Sequence, residues 1–107
     1  MLSITFVGQA AISELNRRYL GHRGPTDVIS FGLKRHGRRG PVIGDIYICP
    51  EIARANAKRQ GGSAQEELLR LVVHGTLHVL GHDHPHSAAR DKSPMWRKQE
   101  RILARVV

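Results

Sequence analysis

Apolar and polar residues alternate over Leu2–Val7, with Ile4, Phe6 and Val7 as the apolar members, until Gly8 breaks the run. That pattern predicts a short strand. From Gln9 to Tyr19 the apolar spacing lengthens, and Ile12, Leu15 and Tyr19 line one face of a predicted helix. Arg17 and Arg18 fall in its last turn, where positive charge suits the helix dipole. Past the glycines at 21 and 24, Asp27–Leu33 is a second predicted strand. Val28, Ser30 and Gly32 share one of its faces, and Ile29, Phe31 and Leu33 the other. Val42–Cys49 is a third strand, interrupted by Gly44-Asp45. Strands disfavour Asp, so Asp45 is expected to cap, to bind a backbone amide or to support a site nearby.

Pro50 suits a first helical position, which predicts a helix over Pro50–Arg59, ended by Gly61-Gly62. Ser63 and Glu66 have the S-x-x-E spacing of a capping box. The helix they open, Ala64 to about Leu80, is apolar around most of its circumference and is predicted to be the buried centre. Ser93-Pro94 opens a last helix to about Arg105, whose Trp96, Ile102, Leu103 and Val106 are expected to dock on the core.

A chain of 107 residues makes one domain, 1–107, that buries about two-thirds of its unfolded surface. No apolar run approaches the roughly 20 residues that span a bilayer, and the N-terminus has no basic leader or small-residue cleavage site. No membrane partner is therefore expected. The single cysteine, Cys49, fits a reducing cytoplasm and excludes a cysteine zinc site. The net charge of +8, with 13 arginines among the 17 basic residues, changes the picture further. It is what an RNA or DNA partner requires, and equally what an arginine-rich proteome produces without one. The basic run Lys34–Pro41 is open to the same two readings, a phosphate contact or a solvated hairpin connection.

A more specific signal lies in one motif. His74, His78 and His84 follow the spacing H-x3-H-x5-H near the end of the central helix. His74 and His78 fall one turn apart on one face, with Cβ atoms roughly 5–6 Å apart. Two imidazoles at that separation can share a zinc ion at about 2.0–2.1 Å. Gly81 stands where the helix stops, and a left-handed glycine there turns the chain so that His84 supplies a third ligand. Three histidines leave the fourth tetrahedral position for water, the catalytic arrangement. The same spacing resembles H-E-x-x-H-x-x-G-x-x-H of the metzincin proteases, but Gly75 occupies the place of their general-base glutamate. A zinc-bound water has its pKa lowered towards about 7. Charge that builds on an attacked phosphodiester is stabilised by arginine, for which Arg18, Arg23 and Arg38-Arg39 are the candidates near in sequence. His82 and Asp83 are expected to orient a ligand through its second ring nitrogen or to relay a proton. His22, His36 and His86 are expected to be exposed.

Pro25-Thr26-Asp27-Val28-Ile29-Ser30-Phe31, then Gly44-Asp45-Ile46-Tyr47-Ile48, then the run from His74 to His84, resemble the YbeY family of metal-dependent endoribonucleases. The resemblance implies an α+β fold, a small mixed sheet of about three strands packed on the central helix that carries the metal. It implies zinc on His74, His78 and His84, and no nucleotide cofactor. It also implies cleavage of single-stranded RNA in ribosomal RNA maturation and ribosome quality control, with the small ribosomal subunit as partner, in the cytoplasm. Family members usually carry a further strand and helix upstream, which the resemblance leaves outside this chain. They also usually carry an arginine where this chain has Leu20. Arg23, in the loop that follows, is the better substitute for that phosphate contact than Arg18. The segment after the motif, acidic in many members, is basic here. Two other classes stay open: a non-catalytic, metal-stabilised ribosomal RNA-binding module, and a metallopeptidase relative, against which Gly75 argues.

Overall fold

The computed structural model describes residues 1–33, 40–83 and 93–106. It is an α+β fold built on a three-stranded mixed sheet. Strands β1 (Leu2–Phe6), β2 (Val28–Gly32) and β3 (Gly44–Ile48) lie in the order β1-β3-β2. β3 is central, parallel to β1 and antiparallel to β2. The bond from Leu33 N–H to Ile43 carbonyl, 2.9 Å, extends the β2–β3 pairing towards residues 34–39. Both readings of the basic run, a phosphate contact or a solvated hairpin connection, fall mainly on residues 34–39, outside those described.

Four helices flank the sheet: α1 (Gln9–Leu15), α2 (Pro50–Gln60), α3 (Ala64–Val79) and α4 (Pro94–Val106). The register of β2 on β3 sets Val28, Ser30 and Gly32 beside Ile48, Ile46 and Gly44. This face packs on α3, where Ile46, Ile48, Ala53, Leu71 and Val79 form the larger core. The opposite face carries Ile29 and Phe31, which join Ile12 of α1 and Cys49 in a second cluster. The two-faced pattern expected of β2 is therefore observed through Phe31.

The approach of α3 to the sheet is very close. A Cβ on Gly75 would lie 2.8 Å from Ile46 Cγ2, and one on Gly44 would lie 2.6 Å from Val79 Cγ1. Both glycines are buried, and a larger side chain at either would lift the helix.

Four details differ from the sequence expectation. The first helix ends its α portion at Leu15 and continues as a π-helical turn, Asn16–Leu20, closed by Gly21 at φ 69°. β1 is exposed along its length, with Phe6 59% accessible, because α3 covers β3 and β2 but leaves the edge strand bare. Ser63 caps α3 by accepting from Glu66 N–H at 3.0 Å, whereas the Glu66 carboxylate pairs with Arg70. Asp45 is exposed and accepts from the Ser3 hydroxyl across the β1–β3 pair. It projects from the sheet face opposite Ile46, so it supports the sheet edge and not the histidines on α3.

Candidate metal centre and catalytic cleft

α3 stops as the glycine predicts. Gly81 has φ +99°, its N–H bonds to His78 carbonyl at 2.9 Å, and His82 N–H bonds back to Leu77 carbonyl at 2.9 Å. Those two bonds make a Schellman turn. The chain reverses over the last helical turn, where the helix dipole favours positive charge.

His74 and His78 lie on this final stretch with ring centroids 4.7 Å apart and planes at 79°. His74 is buried and His78 half-buried. His74 Nδ1 is 2.6 Å from Gln99 Oε1, and His78 Nδ1 is 3.0 Å from the backbone carbonyl of His82. Both partners are oxygen acceptors, so each Nδ1 carries the proton and each Nε2 the ligating lone pair. That is the tautomer a zinc-binding pair needs, held by the outer hydrogen bonds such ligands usually have. The two described histidines therefore fit the ion. His84, the expected third ligand, lies outside the described residues, as do His36, His86, Arg38 and Arg39. Among the described residues no set of three His, Cys, Asp or Glu side chains has metal-holding geometry.

His82 and Asp83 were expected to orient a ligand or relay a proton; for His78 the His82 main-chain carbonyl is such a partner. Gln99 was missed altogether. It is 1% exposed, and its amide nitrogen donates to Glu100 at 2.9 Å. Glu100 takes a two-pronged bond from Arg70, which also reaches Glu67 at 2.8 Å and Glu66 at 3.2 Å. Burial works against the Arg70 charge, but the bonds to Glu100 and Glu67 outweigh it and raise the pKa above its ordinary value. The sequence signal for Gln99 was a polar residue among the apolar positions of α4, which has no meaning until its neighbour is known.

His74 and His78 form one wall of a cleft of about 600 Å³. The start of β2 forms the facing wall, with Thr26, Asp27 and Ser30. Asn16, buried in the π-helical turn, donates to Gly24 carbonyl at 3.0 Å and so ties the 21–24 loop beside the cleft. Leu20 and His22 reach the cleft lining. Arg23 is exposed and does not contribute to that lining. Arg17 is held by Glu14 at 2.6 Å, which keeps the Glu14 carboxyl below its usual range, and Arg18 is exposed. Gly75 points the other way, against Ile46 of the sheet. A glutamate at this position would first meet Ile46, so the place of the protease base is taken up by the sheet.

A family model described as endoribonuclease YbeY matches residues 1–107. The chain belongs to the YbeY family. A relative named endoribonuclease YbeY, from Desulfitobacterium hafniense, is 43% identical over 113 residues, covering 98% of this chain and 71% of the relative. Another of that name, from Beutenbergia cavernae, is 49% identical over 90 residues, covering 78% of this chain and 60% of the relative. A Thermotoga maritima protein with a solution structure superposes with a TM-score of 0.65 at 34% identity, over 98% of this chain and 67% of that one. The chain thus spans some three-fifths to seven-tenths of the length of these YbeY relatives. Among the described residues no helix is long and apolar enough to cross a membrane.

Proposed function

We propose that this chain is a zinc-dependent endoribonuclease that cuts single-stranded RNA, acting in ribosomal RNA maturation and ribosome quality control on the small subunit in the cytoplasm. The observation that carries the reading is the His74–His78 pair, with both Nδ1 protons committed to oxygen acceptors at the edge of an open cleft. Family membership supports RNA as substrate, and the +8 charge supports its capture through phosphate contacts. The free thiol of Cys49 is consistent with a reducing compartment.

His74, His78 and His84 would hold the ion. Zinc there supplies Lewis acidity towards a phosphoryl oxygen and lowers the pKa of water. The rest falls to the chain. Ser30 would present a hydroxyl donor to the phosphate from the cleft wall. Asn16 holds the rim loop in place through Gly24. The His22 imidazole lines the rim of the same cleft. Arg23, exposed in the 21–24 loop beside the cleft, would supply the phosphate contact in place of the arginine that Leu20 displaces.

The test pairs metal analysis with cleavage of a labelled single-stranded RNA by wild type and His78→Ala. The expected result is about one zinc per chain and metal-dependent cleavage, both lost in the variant. Intact RNA, at a salt concentration where zinc-loaded protein binds it, would overturn the nuclease reading and leave a metal-stabilised RNA-binding module.

A further inference from the structure

A second cavity, about 350 Å³, opens on the far side of His74 between α2, α3 and α4. It shares two wall residues with the catalytic cleft, His74 and Asp27. A strand whose phosphate lies against His74 therefore has a neighbouring nucleotide at the mouth of this cavity. The volume is in the lower part of the roughly 300–1,000 Å³ range of small-molecule sites.

The chemistry of the lining is that of a flat, uncharged, polar guest. The four charged residues balance: Asp27 and Glu67 against Arg59 and Arg70. Glu67 and Arg70 are paired with each other at 2.8 Å. Asn56 donates to Asp27 at 3.1 Å and accepts from Arg59, so it fixes the carboxylate and the guanidinium at one edge. Such a neutralised lining gives a phosphate group no net attraction. Gln60 adds an exposed amide, and Trp96 of α4 adds a half-buried indole. An aromatic wall beside amide and carboxylate groups is how proteins hold single-stranded bases, by stacking together with hydrogen bonds to the base edge.

We infer that this cavity is a nucleobase subsite. It receives the base of the nucleotide next to the cleaved phosphate, stacks it on Trp96 and reads its edge with Gln60 and the Asn56–Asp27–Arg59 cluster. The inference rests on the RNA-cleaving reading only for which base is bound. The site itself needs neither metal nor cleavage.

Trp96 is the sole tryptophan of the chain, so its emission reports this cavity alone. In metal-free protein held in chelator, the four ribonucleoside 5′-monophosphates are titrated separately, with ribose 5-phosphate and inorganic phosphate as base-free controls. Saturable quenching by at least one nucleotide, with none by the controls, is expected. Equal quenching by ribose 5-phosphate, or no quenching at all, would overturn the subsite. Binding of a fluorescein-labelled RNA tetranucleotide is then followed by anisotropy, again without metal. Trp96→Leu should weaken binding roughly tenfold, while Trp96→Phe, which keeps an aromatic face, should stay near wild type. Equal affinity for all three proteins would refute the stacking role. The outcomes separate the two readings. Base-dependent quenching in a protein that never cleaves RNA removes the nuclease and keeps the subsite. Cleavage that ignores Trp96→Leu, in a protein without base-dependent quenching, does the reverse.

Discussion

Gln99→Leu isolates the support beneath the metal centre. Leucine fills nearly the same space, so the fully buried position is not left as a void. The change removes two bonds, the 2.6 Å contact with His74 Nδ1 and the 2.9 Å donation to Glu100. His74 then has two courses open. It keeps its Nδ1 proton, now without the Gln99 oxygen, at a cost of about 1–3 kcal/mol in stability. Otherwise it moves the proton to Nε2, which takes the lone pair off the ligating atom. Either course lowers zinc affinity, and loss of such an outer partner typically costs 10–100-fold. That range corresponds to about 1.4–2.8 kcal/mol of binding free energy. Zinc affinity is read by competition with a chromophoric chelator, and the fold by urea titration of the metal-free protein. The imidazole nitrogen resonances of His74 show which course it takes. Zinc affinity within twofold of wild type, in a variant that unfolds cooperatively with an unchanged His74 tautomer, would refute the reasoning.

Gly75→Ala should destabilise the metal-free protein by about 1–3 kcal/mol in urea, since its Cβ would meet Ile46 Cγ2 at 2.8 Å; unchanged stability would mean that α3 rides higher on the sheet. Gly81→Ala should cost about 1 kcal/mol from backbone strain, because φ is +99° and, among the described residues beyond its chain neighbours, no atom lies within 4 Å of the new methyl group. Zinc affinity should fall by more than that stability loss, since the strain falls on the turn leading to His84; unaltered affinity would separate the turn from the ligand. Leu20→Arg, at the cleft lining, should raise kcat/KM for RNA, and Arg23→Ala should lower it without releasing zinc. A phosphate contact made in the transition state is worth up to roughly a hundredfold. If both variants match wild type, the phosphate is held elsewhere.

The elements were largely legible in the sequence because periodicity and punctuation coincide. Proline at 50, serine at 63 and glycine at 81 mark helix ends that the structure reproduces to within a residue or two. The partners of a face were not legible. Leu2, Ile4 and Phe6 alternate as a half-buried strand should, yet nothing in the pattern says that α3 stops short of β1. The π-helical turn at Asn16–Leu20 buries Asn16 and leaves Tyr19 and Leu20 exposed, a reversal that the apolar spacing of Ile12, Leu15 and Tyr19 did not signal. At the site, the motif identified the two described histidines on α3, since i, i+4 spacing is local geometry. Gln99 is a contact of tertiary origin, and the His82 carbonyl a local one set by the turn at Gly81. One arrives from a helix 25 residues away, and the other is a main-chain atom that every residue type possesses.

The two stripes of α3 constrain what this helix can become. His74 and His78 look into the cleft, while Gly75 and Val79, each one residue further on, press into the sheet over Ile46, Gly32 and Gly44. One residue is about 100° of helix rotation. A descendant that gained glutamate at position 75 would not gain a peptidase. It would drive a carboxylate into β3 and lose the fold before acquiring any new activity. The two motifs share a spelling over eleven residues, yet here the sheet occupies the space that the glutamate side chain would need.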